Sequence, residues 1–148
     1  MSGCKRPVVL LIILFLVLAG LPSRTFPYLG GICPIGKSKA DTLVVNASGG
    51  GDYTSIQWAV DNASSGDTIN IEPGTYFERV LIVKSIRLIG TDPRDVFIDG
   101  GGLGHCLSIM NCNDNEISNI TTYNGDYGIY ISNSNGNNLS NIFSPNNQ

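Results

Sequence analysis

Downstream of residue 41 the hydrophobic positions come in short bursts that alternate with polar ones. Thr68-Ile69-Asn70-Ile71, Val80-Leu81-Ile82-Val83, Ile86-Arg87-Leu88-Ile89, Val96-Phe97-Ile98, Leu107-Ser108-Ile109 and Ile129-Tyr130-Ile131 are separated by Gly, Pro, Asn and Asp. That is the composition of strands that end in turns. Most spacers are too long for two-residue hairpins, so the pattern predicts strands that turn corners. Thr42 to Val45 reads as a further short strand and Gly49-Gly50-Gly51-Asp52 as a turn. One segment has a helical period: Ile56, Ala59, Val60 and Ala63 recur at i, i+3, i+4, i+7. Thr54 and Gln57 have capping-box spacing at its start, and Gly66 follows Ser64-Ser65 as a stop.

An internal repeat organises the strands. Residues 105–120 laid on 127–142, a shift of 22, give seven identities in sixteen positions, among them Ile109/Ile131, Asn111/Asn133, Asn115/Asn137 and Asn119/Asn141. A period of this length with short strands and no helix defines a parallel β-solenoid, each coil stacked about 4.8 Å above the last. The fold class expected is therefore all-β: a single-stranded parallel β-helix of about 22 residues per coil, with a short N-terminal capping helix. Leu107, Ile109 and Asn111 share strand parity, which predicts that Asn111 points inward with the aliphatics. Asn133, one coil away, is then its partner in a buried amide ladder. Asn147 is expected to lie outside any coil.

Composition sharpens the picture at the two ends. Lys5 and Arg6 precede the apolar run Val8 to Leu21, 14 residues or about 21 Å of helix, short of a bilayer core of about 30 Å. Residues 1–21 are expected to be a signal peptide, or an uncleaved signal anchor whose only membrane contact is through 8–21. Residues 22–41 are Pro- and Gly-rich linker, 42–66 an N-terminal cap of strand, turn and helix, and 67–148 about four coils, incomplete at the C-terminus. Within the linker, Gly31 to Ser38 matches the phosphate-loop pattern, but without the strand before and helix after that phosphate binding requires. From residue 41 on there are four basic and twelve acidic residues, a net charge of −8, which excludes the basic stripe of a nucleic-acid binder. Most of the 15 Asn lie between Asn111 and Asn147, read as corner chemistry rather than a ligand site.

Gly51-Asp52-Tyr53-Thr54-Ser55-Ile56-Gln57-Trp58-Ala59-Val60-Asp61, with Gly66-Asp67-Thr68-Ile69, Pro73-Gly74-Thr75-Tyr76-Phe77-Glu78 and Ile86-Arg87-Leu88-Ile89-Gly90, resembles the opening of pectinesterases and other right-handed β-helix proteins of the pectin-lyase-like superfamily. The Asn-rich coils resemble those of archaeal surface-layer β-helix proteins and of the periplasmic copper-binding β-helix family that serves nitrous oxide reductase. The likeness spans about 42–142 and implies a right-handed helix. It carries no catalytic residue across, because the aspartates and arginine of pectinesterases lie on coils beyond this chain's last residue. After Arg94 there is no Lys or Arg at all.

Three sets of residues are candidate sites. His105, Cys106, Met110 and Cys112 are soft-metal ligand types within eight residues, although strand parity sets His105 opposite Cys106 and Met110, and thiols and Met commonly fill cores. Tyr123, Asp126, Tyr127 and Tyr130 offer aromatic and acidic groups for stacking on a sugar ring. Asn46, Asn62, Asn119 and Asn138 begin glycosylation sequons. The expected protein is an exported envelope or surface module, periplasmic or extracellular, structural or carbohydrate-contacting, with no catalytic site and no cofactor. Its expected partners are polysaccharide or envelope components, and further β-helix coils or a second copy stacked end to end. Two other classes compete: an N-terminal fragment of a polysaccharide lyase, hydrolase or esterase, and a periplasmic copper-binding protein.

Overall fold

The computed structural model describes residues 39–147. The leader, the linker up to residue 38 and the phosphate-loop match lie outside the described residues. The rest is a parallel β-solenoid of about five turns. Its strands are β1 (Thr42–Val45), β2 (Thr68–Ile71), β3 (Gly74–Phe77), β4 (Val80–Ile82), β5 (Arg87–Gly90), β6 (Val96–Asp99), β7 (His105–Met110), β8 (Glu116–Tyr123), β9 (Tyr127–Ser132) and β10 (Asn138–Phe143), with one helix, α1 (Ile56–Asn62).

Three faces wrap the core. The first stacks β1, β2, β5, the start of β8 and the start of β10. The second stacks β3, β6 and the ends of β8 and β10, and the third stacks β4, β7 and β9. Every pairing is parallel, so inward side chains fall in columns: Leu43, Ile69, Leu88, Ile117 and Leu139 occupy one, and Ile82, Ile109 and Ile131 another. Ile69, Leu88, Ile117, Ile82 and Ile109 are wholly buried, removing apolar area worth about 25 cal/mol per Å² from water. The 22-residue period holds from β8 to β10 and from β7 to β9. Earlier coils depart from it, running 19 residues from Thr68 to Arg87 and 29 from Arg87 to Glu116, because the latter coil carries the loops at 91–95 and 100–104.

Asparagine makes the corners. The described non-glycine residues with positive φ are Asn111, Asp114, Asn119, Asn124, Asn133, Asn141 and Asn146, and only Asn and Asp tolerate this left-handed backbone readily among L-residues. Asn111/Asn133, Asn119/Asn141 and Asn124/Asn146 repeat at 22 residues, and Asp114 is matched by Gly136 at φ 67°. Asn119 bends β8 so that one strand serves two faces. At this bend Asn141 Nδ2 donates to Asn119 Oδ1 at 2.8 Å, and Asn119 Nδ2 donates to the Gly90 carbonyl at 3.1 Å.

The left-handed turn corrects the expectation for Asn111. Its backbone at φ 53° reverses strand parity, so Asn111 and Asn133 are exposed and Cys112 takes the buried position. Their amides do meet, Asn133 Nδ2 to Asn111 Oδ1 at 3.3 Å, but in solvent. The buried amide stack is Asn115 with Asn137. Asn115 is 1% exposed, and its Oδ1 accepts the Ile86 N–H at 2.9 Å. One coil on, Asn137 Oδ1 accepts the Asn115 N–H at 3.0 Å. Asp67 does the same at the first end, accepting the Asp41 N–H at 2.9 Å. Asn147 also ties one coil to the next, contrary to expectation, but at the Gly125 corner: its Oδ1 accepts the Gly125 N–H at 3.1 Å and its Nδ2 donates to the Thr122 carbonyl at 3.2 Å.

α1 packs Ile56, Ala59 and Val60 against β1, β2 and β4. Its N-cap is Ser55 rather than Thr54, the Ser55 Oγ accepting the Trp58 N–H at 3.3 Å. Glu78 replaces the expected capping-box partner: its carboxylate accepts the Ile56 and Gln57 N–H groups and the Ser55 hydroxyl, placing negative charge at the positive end of the helix. Gln57 is thereby free to pair with the edge of β4, accepting the Leu81 N–H at 2.6 Å and donating to its carbonyl at 3.3 Å. The helix ends at Ala63, where Lys84 Nζ donates to the Ala63 carbonyl at 2.9 Å.

Candidate functional site: an aromatic ledge on the third face

β7 and β9 run in register, which sets His105 opposite Tyr127 and Ser108 opposite Tyr130. The His105 ring stacks on Tyr130, centroids 4.5 Å apart and planes 21° from parallel, and meets Tyr127 at 5.1 Å. Tyr127 and Tyr130 expose 57% and 37% of their surface. Beside the rings lies an open groove of about 340 Å³, lined by Arg79, Val80, Leu81, Gly104, His105 and Ser108. The Arg79 guanidinium reaches along it and donates to the Leu103 carbonyl at 3.3 Å. His105 Nδ1 is buried without a hydrogen-bond partner. Such a nitrogen is costly to leave unpaired.

Chemically the ledge offers flat apolar faces with polar tips, the Ser108 hydroxyl and one guanidinium. Among the described residues His105 has no hydrogen bond to a serine, cysteine or carboxylate, and its ring contacts are with Tyr127 and Tyr130. Asp126 is exposed at the turn into β9, held by its N–H bond to the Gly104 carbonyl at 2.6 Å.

Tyr123 is not on this ledge. It ends β8 on the second face, edge-on to Phe97 at 6.3 Å, and burial together with the nearby Asp99 carboxylate raises its phenol pKa. Asn124 at φ 60° turns the chain between Tyr123 and Tyr127 and separates them. Phe77 and Phe143, 79% and 55% exposed, lie on the same outer second face. The sequence signal for them was an aromatic in each second-face strand, and the register sets these in two neighbouring rows, Phe77 with Asp99 and Tyr123, and Phe97 with Thr121 and Phe143.

The four soft-ligand residues are divided by the sheet. Cys106 is fully buried with its Sγ against the Tyr123 carbonyl at 3.2 Å, and Cys112 Sγ faces the Ile82 carbonyl at 3.5 Å. Both are free thiols. His105 instead joins the tyrosines, and among the described residues no three His, Cys, Asp or Glu side chains converge on a point that would hold a metal ion.

The sequons differ in access. Asn138 and Asn62 are exposed, the latter donating from Nδ2 to the Trp58 carbonyl. Asn46 is half-buried and closes an Asx turn on Ser48, and Asn119 has both ends of its amide engaged in the corner stack. No protein-family model matches the chain, and no curated protein matches it.

Proposed function

We propose that the chain is an exported, right-handed β-helix module of a cell envelope or surface that contacts carbohydrate and lacks chemistry of its own. The observation that carries the reading is the His105–Tyr130 stack beside exposed Tyr127 and the open groove. Sugar rings present apolar C–H faces and hydroxyl rims, and an aromatic ledge with polar tips complements both. The rigid scaffold supports it, since three residues fixed on adjacent rungs lose little entropy on binding.

The test is a titration of the folded protein with neutral and acidic oligosaccharides, followed by calorimetry and by NMR of the tyrosine rings. Tyr127→Ala and Tyr130→Ala should each weaken binding at least tenfold, about 1.4 kcal/mol, without loss of β-sheet content. Absence of binding across the panel would overturn the reading.

Further solenoid coils, or a second copy, are the proposed partner for the last coil. Ile131 and Leu139, inward positions of β9 and β10, expose 41% and 36% of their surface. Sedimentation of the folded protein over a range of concentrations tests this, a concentration-independent monomer counting against it.

A further inference from the structure

We propose that Asn135 is a site of spontaneous deamidation, and that the stack restricts this modification to it while shielding the chain's other Asn-Gly pair, Asn124-Gly125. The chemistry requires a backbone N–H free to attack the preceding side-chain amide carbon, and glycine leaves that N–H least hindered. Asn135 and Gly136 are both exposed. Among the described residues neither the Asn135 side-chain amide nor the Gly136 N–H has a hydrogen-bond partner.

Asn124-Gly125 is held at every point where the reaction would start. Gly125 is buried, and its N–H donates to Asn147 Oδ1 at 3.1 Å. Asn124 Nδ2 donates to Asp99 Oδ1 at 3.0 Å, and the Asn124 carbonyl accepts the Gly102 N–H at 2.6 Å. Attack there demands that these bonds break together.

At Asn135 the Gly136 nitrogen bonds to Cγ, the Cγ–Nδ2 bond breaks, and ammonia leaves with the proton lost from Gly136 nitrogen. Water then opens the cyclic imide at either carbonyl, giving aspartate or isoaspartate. Both products add a carboxylate beside Asp114, whose Oδ1 lies where a Cβ on Gly136 would sit. In isoaspartate the main-chain carbonyl of residue 135, which accepts the Asp114 N–H at 3.0 Å, becomes a free carboxylate, and the chain lengthens by one carbon two residues before Asn137. The modification therefore acts on the buried Asn115–Asn137 bond and loosens the last coil from the one beneath it.

The experiment ages the folded protein in mildly alkaline buffer, maps its peptides by mass spectrometry and assays released ammonia, with a parallel sample in denaturant. The expected result is aspartate and isoaspartate at 135 with Asn124 intact in the folded sample, and both sites modified at comparable rates in the denatured one. Asn135→Ser, checked for native β-sheet content, should abolish ammonia release from the folded protein. Modification of Asn124 as fast as Asn135 in the folded state overturns the proposal. So does ammonia release that survives Asn135→Ser, or an Asn135 that is far slower folded than denatured.

Discussion

Asn137 Oδ1 accepts both the backbone N–H and the side-chain Nδ2–H of Asn115, each at 3.0 Å. Asn115 in turn covers the Ile86 N–H of the coil below at 2.9 Å, so one amide column ties three coils together. Removing Asn115 leaves a buried Ile86 donor without its acceptor, a loss of about 1–3 kcal/mol. Asn115→Ala is therefore expected to lower the urea midpoint strongly. Asn133→Ala, whose amide partner lies in solvent, should cost no more than about 0.5 kcal/mol, as surface substitutions do. Equal effects at the two positions would contradict the assignment of the buried column.

The same comparison shows what the sequence could and could not specify. The aliphatic alternation marked most of the strands, and the 22-residue shift identified stacked coils. It also paired Asn115 with Asn137, yet parity favoured Asn111 as the inward amide. Parity fails at a left-handed residue, which turns the side chain over, and nothing in the letters separates an Asn that bends the chain from one that continues it. β8 was missed for the same reason: Ile117 and Ile120 are three apart, a spacing foreign to a strand until Asn119 resets the phase. At the ledge, Tyr127 and Tyr130 were grouped with Tyr123, and His105 with the thiols. Neighbours in sequence were separated by the Asn124 corner, and His105 met Tyr127 only through the β7–β9 register.

Asn119 tests the corner chemistry directly. Its φ is 59°, and its amide bonds both to Gly90 below and to Asn141 above. Asn119→Gly keeps the backbone conformation and loses the bonds. Asn119→Val loses the bonds and adds the left-handed penalty of about 1–2 kcal/mol, so it should be the less stable variant by about that amount in denaturant titrations. A valine variant as stable as the glycine one would mean that the stack relaxes and φ is not held.

Cys106 should be chemically silent in the folded protein. It is fully buried, and burial, ahead of the opposing Gly100 backbone bond, pushes its thiol pKa up, leaving little of the reactive thiolate. Thiol labelling read by peptide mapping is expected to find Cys106 modified only in denaturant. Its surroundings leave no room either: a Cβ on Gly125 would sit 2.7 Å from Cys106 Sγ and 3.0 Å from the Gly104 carbonyl. Gly125→Ala should destabilise by about 1–3 kcal/mol through overpacking and make Cys106 accessible to the label. Unchanged labelling with lost stability would show that the strain is taken up elsewhere.

Tyr76 sets a pH limit. The phenol is 3% exposed and donates to the Glu72 carbonyl at 2.8 Å and the Val45 carbonyl at 3.3 Å. Burial, with Glu72 and Glu78 adding to it, raises its pKa above the ordinary value of 10.0. A raised pKa means that the unfolded phenol ionises first, so the folded state binds more protons and stability falls with pH in that interval. The contribution of Tyr76 is thus complete below pH 10 and lost as pH climbs through the folded value. Tyr76→Phe should give up about 0.5–1.5 kcal/mol of hydrogen bonding at neutral pH. In exchange it should show a shallower alkaline decline than the parent protein. Tyr123, whose pKa is also raised, remains in both proteins, so the difference between the two stability curves isolates Tyr76. Parallel curves above pH 10 would remove Tyr76 as the group responsible.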